Sequence, residues 1–375
     1  MYKILLDASV WITLALIASF ISVSLRIATS LSEIIIGGLA GLVLLLFGFN
    51  LDANDVWIKF LASTGAIILT FLAGAEIDPE VFIEKWKEAT LIGFMSFLAP
   101  FIGCTLIAML IGWAIKASLI AGVALSTTSV AVVYSVMIEF GLNKTEFGKI
   151  ILAACFITDL CTVIALGLIF SPFTIKTIIF TIGSVIGFLL IYRLTPKIFK
   201  KFGSKPSEIE TKFLLWILFI FAVFAVWADS EPVLPAYIIG MILAGSVGKE
   251  HLFIRRIRTL TFGFLTPFYF LRAGYLVSIP SIISAPLMLL TLLIGKMITK
   301  FLGVYPIAKI FKYENKESMY TTLLMSTGLT FGSIASLYGL THGIINQQQY
   351  SLLIGAVIGS AVIPTIIANS FFLPR

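Results

Sequence analysis

The chain is a series of apolar stretches, each about as long as a helix that crosses a lipid bilayer, separated by short polar segments. A spanning helix needs about 20 mainly apolar residues, and windows of that size give about thirteen candidates. They lie near residues 4–25, 31–49, 57–75, 89–115, 117–139, 147–170, 174–195, 212–228, 234–247, 256–279, 283–310, 318–340 and 348–371. Because every backbone polar group inside a bilayer needs an internal partner, the chain is predicted to be an all-α polytopic membrane protein, with residues 1–375 forming one integral domain.

The distribution of charge agrees with this prediction and orients it. With 59% hydrophobic and 12% charged residues, the chain has more apolar side chain than one soluble core can hide. Of the 26 Lys and Arg residues, nineteen lie in or beside loops on one side of the predicted membrane and four on the other. The positive-inside rule then predicts a cell-membrane protein with its N-terminus outside and its C-terminus in the cytoplasm. The net charge of +7 therefore indicates lipid, not nucleic acid, as the partner.

An internal repeat relates the two halves of the chain at an offset of about 200 residues. Segment 125–128 resembles 325–328, segment 71–74 resembles 270–274, and segment 34–37 resembles 237–240. If spans 1 to 6 recur as spans 8 to 13, an odd number of spans separates the copies, and they insert upside down relative to each other. Such inverted repeats are typical of secondary transporters, whose substrate sites lie at mid-membrane beside interrupted helices.

The matched Ser/Thr tracts are the predicted interruptions in spans 5 and 12. They contain Ser126, Thr127 and Thr128 in the first copy, and Ser326, Thr327 and Gly328 in the second. Hydroxyl groups compete for backbone hydrogen bonds, and glycine weakens a helix. The alternative is that these small residues only let helices pack closely.

Asp159 is the one acid at the centre of a predicted span, and it follows Thr158. A charged side chain there costs at least about 2.5 kcal/mol, so it indicates a function or a buried ion pair. Lys296 and Lys300 lie four residues apart, on one face of span 11, and either is a candidate partner for Asp159. The alternative for both lysines is that they extend to the headgroup region.

Four further charged residues lie within or at the ends of predicted spans. Arg272 in span 10 has no acidic mate evident in the sequence, and a structural contact to backbone carbonyls is one reading of it. Glu33, Glu76 and Asp78 fall at the ends of spans, where water is near, and are expected to be solvated or to cap helices.

The chemistry of these residues suits cation transport. A carboxylate in a water-accessible cavity can hold a proton or an alkali cation but not readily both, and small hard cations prefer oxygen ligands. Asp159 and the hydroxyls of Thr158, Ser126, Thr127 and Thr128 supply such oxygens. No Walker A loop is present in the sequence, which argues against ATP as the driving force. The prediction is a secondary antiporter that exchanges a monovalent cation for protons and needs no cofactor.

Four segments carry a more specific signal. They are residues 31–38 (LSEIIIGG), 71–78 (FLAGAEID), 125–133 (LSTTSVAVV) and 298–303 (ITKFLG). Together and in this order, they resemble the NapA/Kef branch of the monovalent cation:proton antiporters, from about residue 26 to the C-terminus. The resemblance implies the NhaA fold and a homodimer, with helices 5 and 12 crossing beside Asp159 and with Lys300 as the family's core lysine.

The resemblance also implies a division of the helices. A core that translocates the ion would comprise residues 89–170 and 283–371 and would move against dimerisation and scaffold helices at 1–88 and 212–279. Residues 171–211 would form a linker helix and a cytoplasmic loop.

The pair Thr158–Asp159 departs from the family, which usually carries Asp-Asp, Asn-Asp or Gln-Asp at these positions. Sodium is favoured, because of Thr158 and because no Kef-type nucleotide-binding domain follows span 13. Potassium/proton exchange is the first alternative, and a sodium-coupled symporter on a similar inverted-repeat fold is the next. A receptor or channel is the alternative from a different class.

Overall fold

The computed structural model describes residues 2–25, 28–46, 52–75, 85–142, 145–170, 174–202, 207–228, 230, 232–247 and 251–374. Within these residues the fold is built from helices. They are α1 (Tyr2–Leu25), α2 (Thr29–Leu46), α3 (Val56–Ala75), α4 (Trp86–Leu110), α5 (Ile115–Ser126), α6 (Val130–Glu139), α7 (Glu146–Phe170), α8 (Ile175–Phe202), α9 (Ile209–Trp227), α10 (Val233–Val247), α11 (His251–Leu260), α12 (Thr266–Tyr275), α13 (Ile279–Ser284), α14 (Pro286–Ile310), α15 (Asn315–Met325), α16 (Thr330–Thr341) and α17 (Gln347–Ile367). Two π-helical segments, Thr261–Leu265 and Ala368–Phe372, join α11 to α12 and extend α17.

All thirteen predicted spans correspond to helices, which confirms the polytopic all-α fold. By length and composition, nine helices of the described residues are apolar enough to cross a membrane. The others are short, such as α10, or composite, because span 5 is built from α5 and α6, and span 10 from α11, a π-segment and α12. A length criterion alone therefore counts fewer spans than the hydropathy pattern does.

The inverted repeat is visible in how the helices pack. Helix α2 packs closely against α12, and α3 packs in the same way against α10. At each contact a glycine leaves no room for a Cβ between the two backbones, so the helices approach closely. The contacts join Gly37 to Leu271, Gly274 to Ile34, Gly74 to Tyr237 and Gly240 to Phe71. These are the segments that the sequence repeat matched, so equivalent positions of the two copies make equivalent contacts.

The division expected from the sequence separates two groups of helices. We call α4–α7 with α14–α17 the core group, and α1–α3 with α9–α12 the scaffold group. Within the core group, α4 packs extensively against α5, α7 and α14. Within the scaffold group, the two glycine-mediated pairs are the largest contacts.

The interpretation of Glu33 as a solvated or capping residue is wrong. Glu33 is only 2% exposed, because it lies in the second turn of α2 within the buried stretch 30–34. The sequence places Glu33 near the end of an apolar stretch but does not show what lies against that end. Glu76 and Asp78 lie outside the described residues.

Candidate ion-binding site

Two broken helices cross in the middle of the core group. One break separates α5 from α6 at residues 127–129, and the other separates α15 from α16 at residues 326–329. The two breaks are joined directly, because Ser129 N donates to Thr327 O at 3.0 Å and Thr128 Oγ1 donates to Met325 O at 2.8 Å. This arrangement confirms the interruptions predicted from the Ser/Thr tracts and the crossing that the family resemblance implied. Helix ends carry unpaired carbonyls and N–H groups, so the crossing concentrates polar backbone in an apolar region.

Asp159 lies halfway along α7, and its side chain is 2% exposed. Its Oδ1 atom is buried and has no hydrogen-bond partner among the described residues. Buried polar oxygens are nearly always paired, and an unpaired one is costly. Asp159 therefore presents an open acceptor position that suits a proton or a cation.

Hydroxyl groups line both breaks, and most of them already donate their proton in a hydrogen bond. Ser126 donates to Val123 O, and Thr127 donates to Ala124 O. At the second break, Ser326 and Thr327 donate to carbonyls of their own helix, Thr322 O and Leu324 O. A hydroxyl that donates its proton keeps its lone pairs free. These oxygens can act as acceptors or as cation ligands.

Thr158 is oriented differently from the other predicted ligands. Its hydroxyl donates to Gly93 O and to Ala154 O, both at 3.0 Å. Gly93 belongs to α4, so the side chain of Thr158 ties α7 to α4 next to Asp159. Its observed contacts are those of a residue that fixes the helix carrying the acid.

Lys300 is fully buried on α14 and is held by two hydroxyls. Its Nζ atom donates to Ser96 Oγ at 2.8 Å and to Thr128 Oγ1 at 3.0 Å. Thr128 in turn donates a hydrogen bond to Met325 O, so the series of hydrogen bonds from Lys300 ends at the second break. Ser96 was not predicted as a site residue; its signal in the sequence is a hydroxyl within the apolar run of α4, which Thr90 and Thr105 share.

Lys296 is also fully buried, one turn before Lys300. Its Nζ atom donates to Ser360 Oγ at 3.0 Å, and Ser360 in turn donates to Val357 O. The ammonium group lies where a Cβ of Gly328 would stand, and the hydroxyl of Thr127 lies beside the same position. Each lysine therefore contacts one of the two breaks, Lys300 the first and Lys296 the second.

Neither lysine forms a direct ion pair with Asp159 within the part of the chain that is described. The ion pairs found there, Lys85 with Glu146 and Arg256 with Glu208, lie outside this region. A buried ammonium still needs compensation, and carbonyls at helix C-termini supply partial negative charge. The helix breaks therefore supply the compensating negative charge for the lysines that the sequence analysis expected from Asp159.

Arg272 makes a structural contact to a backbone carbonyl, which was one interpretation of this residue from the sequence. Its Nε donates to Ala53 O at 2.8 Å, and its Nη2 donates to Asn54 Oδ1 at 3.3 Å. Arg272 also lines a cavity of about 490 Å³ between α16 and the scaffold group, together with Tyr269 and His342. Asp159 is not among the residues that line this cavity.

A protein family and several relatives match nearly the whole chain. A family model described as "Sodium/hydrogen exchanger, transmembrane" matches residues 12–372. A probable Na(+)/H(+) antiporter 3 of Methanocaldococcus jannaschii is 27% identical over 351 residues, which cover 90% of this chain and 89% of that protein. A Na(+)/H(+) antiporter of Enterococcus hirae is 22% identical over 95% of this chain and 94% of its own.

A solved structure shares the fold. The sodium proton antiporter MjNhaP1 from Methanocaldococcus jannaschii, determined at pH 8, superposes with a TM-score of 0.74. The match covers 99% of this chain and 100% of the other at 14% sequence identity. At that identity the likeness concerns the arrangement of helices and not the residues of the site.

Proposed function

The chain belongs to the sodium/hydrogen exchanger family, and on that premise we propose that it exchanges Na⁺ for H⁺ at Asp159 by alternating access. It is a multi-pass membrane transporter, and its transported substrates are a cation and protons. This agrees with the exchanger of a monovalent cation for protons that the sequence predicted.

The observation that carries the site assignment is the unpaired, buried Oδ1 of Asp159 on α7, a helix whose preceding turn meets the end of α15 through Cys155 and Met325. One carboxylate that binds either a proton or Na⁺ couples their movements, because each ligand must leave before the other binds. The hydroxyls of Ser126, Thr127 and Thr128 lie at the first break, and their lone pairs supply further oxygen ligands. Thr158 supports the site by fixing α7 to α4.

The moving parts follow from the same division of helices. The core group carries Asp159, both lysines and both breaks, and it moves against the scaffold group to open the site to each side in turn. Two copies of the chain assemble through their scaffold groups as a homodimer in the cell membrane. The N-terminus lies outside and the C-terminus in the cytoplasm.

Proton flux from acid-loaded proteoliposomes tests the proposal. Purified protein is reconstituted with a pH-sensitive dye inside, and Na⁺, Li⁺ and K⁺ are added outside in turn. We expect Na⁺, and to a lesser degree Li⁺, to drive proton efflux better than K⁺. A clear preference for K⁺ would assign the chain to potassium/proton exchange, and no flux with any of the three would contradict the exchange itself.

A further inference from the structure

A tyrosine of the scaffold group reaches across to the helix that carries Asp159. Tyr237, in α10, is fully buried, and its hydroxyl donates to Phe156 O at 3.0 Å. Phe156 precedes Asp159 by three residues on α7. The hydrogen bond therefore joins the scaffold group to the turn of the core group that carries the acid.

The ring of Tyr237 makes a second contact across the same boundary. It meets Phe331 of α16 edge to face, with ring centroids 6.1 Å apart. One scaffold side chain thus touches two core helices, α7 beside Asp159 and α16 just after the second break. The peptide carbonyl of Phe156 lies within a regular helix, so the bond from Tyr237 adds to its helical bond and does not replace it.

A second tyrosine also crosses the boundary, but its surroundings differ. Tyr350 of α17 donates to Ala273 O of α12 at 2.6 Å. This carbonyl lies in the last turn of α12, where the N–H of Val277 turns instead to Gly274 O. Beside it, Ser278 N donates to Ser351 Oγ, and Gln347 Nε2 donates to Leu276 O. Tyr350 therefore caps a helix end beside the covalent connection between the two groups.

We propose that Tyr237 is a positioning residue that latches the core group in the orientation seen here, and that its bond to Phe156 O breaks each time the site changes sides. The proposal rests on the movement of the core group proposed above. A hydrogen bond is lost when its partners separate beyond about 3.5 Å, so even a small slide of α7 along α10 releases it. The Tyr350 contact, in contrast, acts as part of the pivot.

The test compares Tyr237→Phe with Tyr320→Phe. Both side chains are fully buried, but the hydroxyl of Tyr320 bonds to Asn369 Oδ1 within the core group. The apparent KM for Na⁺ is measured from each face of the membrane, together with turnover. Removing a bond present in only one orientation shifts the equilibrium between orientations by about two- to tenfold. The apparent KM at each face then changes, because apparent affinity depends on the fraction of protein that is competent to bind there.

We expect Tyr237→Phe to change the ratio of the two KM values by this factor and Tyr320→Phe to leave it unchanged. A lower turnover with an unchanged ratio would show a merely structural role and would overturn the latch, as would kinetics identical to the wild type. If Tyr237→Phe does not fold, Phe331→Leu removes the ring contact that the same tyrosine makes across the boundary, and a change of the ratio in the same direction is expected. An unchanged ratio in that variant contradicts the proposal.

Hydrogen–deuterium exchange separates this proposal from the proposed function. In Tyr237→Phe, peptides from α10 and α7 should take up deuterium faster than in the wild type without any ion being transported. If the wild type shows no exchange of Na⁺ for H⁺ but this uptake rises, the proposed function fails, whereas the part of the proposal in which Tyr237 holds α7 to α10 stands. If transport is present and uptake in both helices is unchanged, the latch fails alone.

Discussion

Lys300 Nζ lies 3.0 Å from the hydroxyl of Thr128, which binds the lysine to the first helix break. The same hydroxyl donates to Met325 O at the second break, so one threonine joins the buried cation to both interrupted helices. Asp159 is left with an open acceptor position. Asp159 and Lys300 are close enough to interact electrostatically, but Lys300 does not bond to the open Oδ1 of the acid.

The first prediction concerns the acid. Asp159→Asn should abolish exchange while folding and membrane insertion are kept, because it removes the central charge at almost constant volume. Proton flux in proteoliposomes measures the loss, and size-exclusion profiles verify folding. Asp7→Asn, near the start of α1, is the matched control and should exchange normally. Exchange that survives in reconstituted Asp159→Asn would disprove the site.

The second prediction concerns charge balance. Asp159 is neutral when protonated and neutral when paired with Na⁺, so the loaded core group carries the same charge in both directions. Turnover should be electroneutral, with one Na⁺ for one H⁺, since Thr158 does not supply a second negative charge. Solid-supported membrane recording measures this. A robust transient current after a sodium jump would show that more than one proton moves per cycle.

Lys300→Gln extends the same argument. Lys300 bonds to hydroxyls and not to Asp159, so Na⁺ that binds at Asp159 breaks no ion pair of the lysine, and we expect the protonation state of Lys300 to stay the same through the cycle. Its replacement should weaken exchange or move the pH optimum without changing the ratio of protons to cations. The stoichiometry is obtained from the sodium gradient that balances a given pH gradient. A change in that ratio would show that Lys300 gives up a proton during transport.

The third prediction concerns the side chain that holds Lys300 on α4. Ser96→Ala removes one of the two hydrogen-bond partners of a buried cation, and hydrogen bonds to charged groups contribute about 1.5–3 kcal/mol. We expect a loss of stability of that order and a clear fall in exchange. Ser118→Ala is the control, because Ser118 is equally buried but only donates to Trp113 O. Equal effects of the two substitutions would mean that the contact between Ser96 and Lys300 has no special role.

The fourth prediction tests the space occupied by Lys296. Gly328→Ala places a methyl group where the ammonium of Lys296 lies, beside Thr127. Overpacking of this kind typically costs about 1–3 kcal/mol, and we expect exchange to fall more than stability does because the lysine is displaced from the break. Gly263→Ala is the control, since nothing lies within 4 Å of a Cβ at Gly263. Normal exchange in Gly328→Ala would show that Lys296 does not need this position.

Much of the architecture was evident in the sequence. The length of the apolar stretches determined the spans, and the Ser/Thr tracts at 126–128 and 326–328 marked the two breaks. The offset between repeated segments indicated the inverted repeat, and Asp159 stood out as the one acid at the centre of a span. Each of these features is local, because a bilayer sets a fixed length for a helix and a fixed penalty for a charge, whatever the neighbouring helices are.

The tertiary structure alone decided which groups meet. In the folded chain, Lys300 bonds to Ser96 and Thr128, the hydroxyl of Thr158 donates to Gly93 O, and Glu33 is buried. Hydrogen bonds and burial of this kind depend on which helix lies alongside and at what height. Helices made of the same few apolar residues do not encode in their own pattern which helix they pack against. The pairing follows from close contacts between elements far apart in the chain, such as those of Gly37 and Gly74.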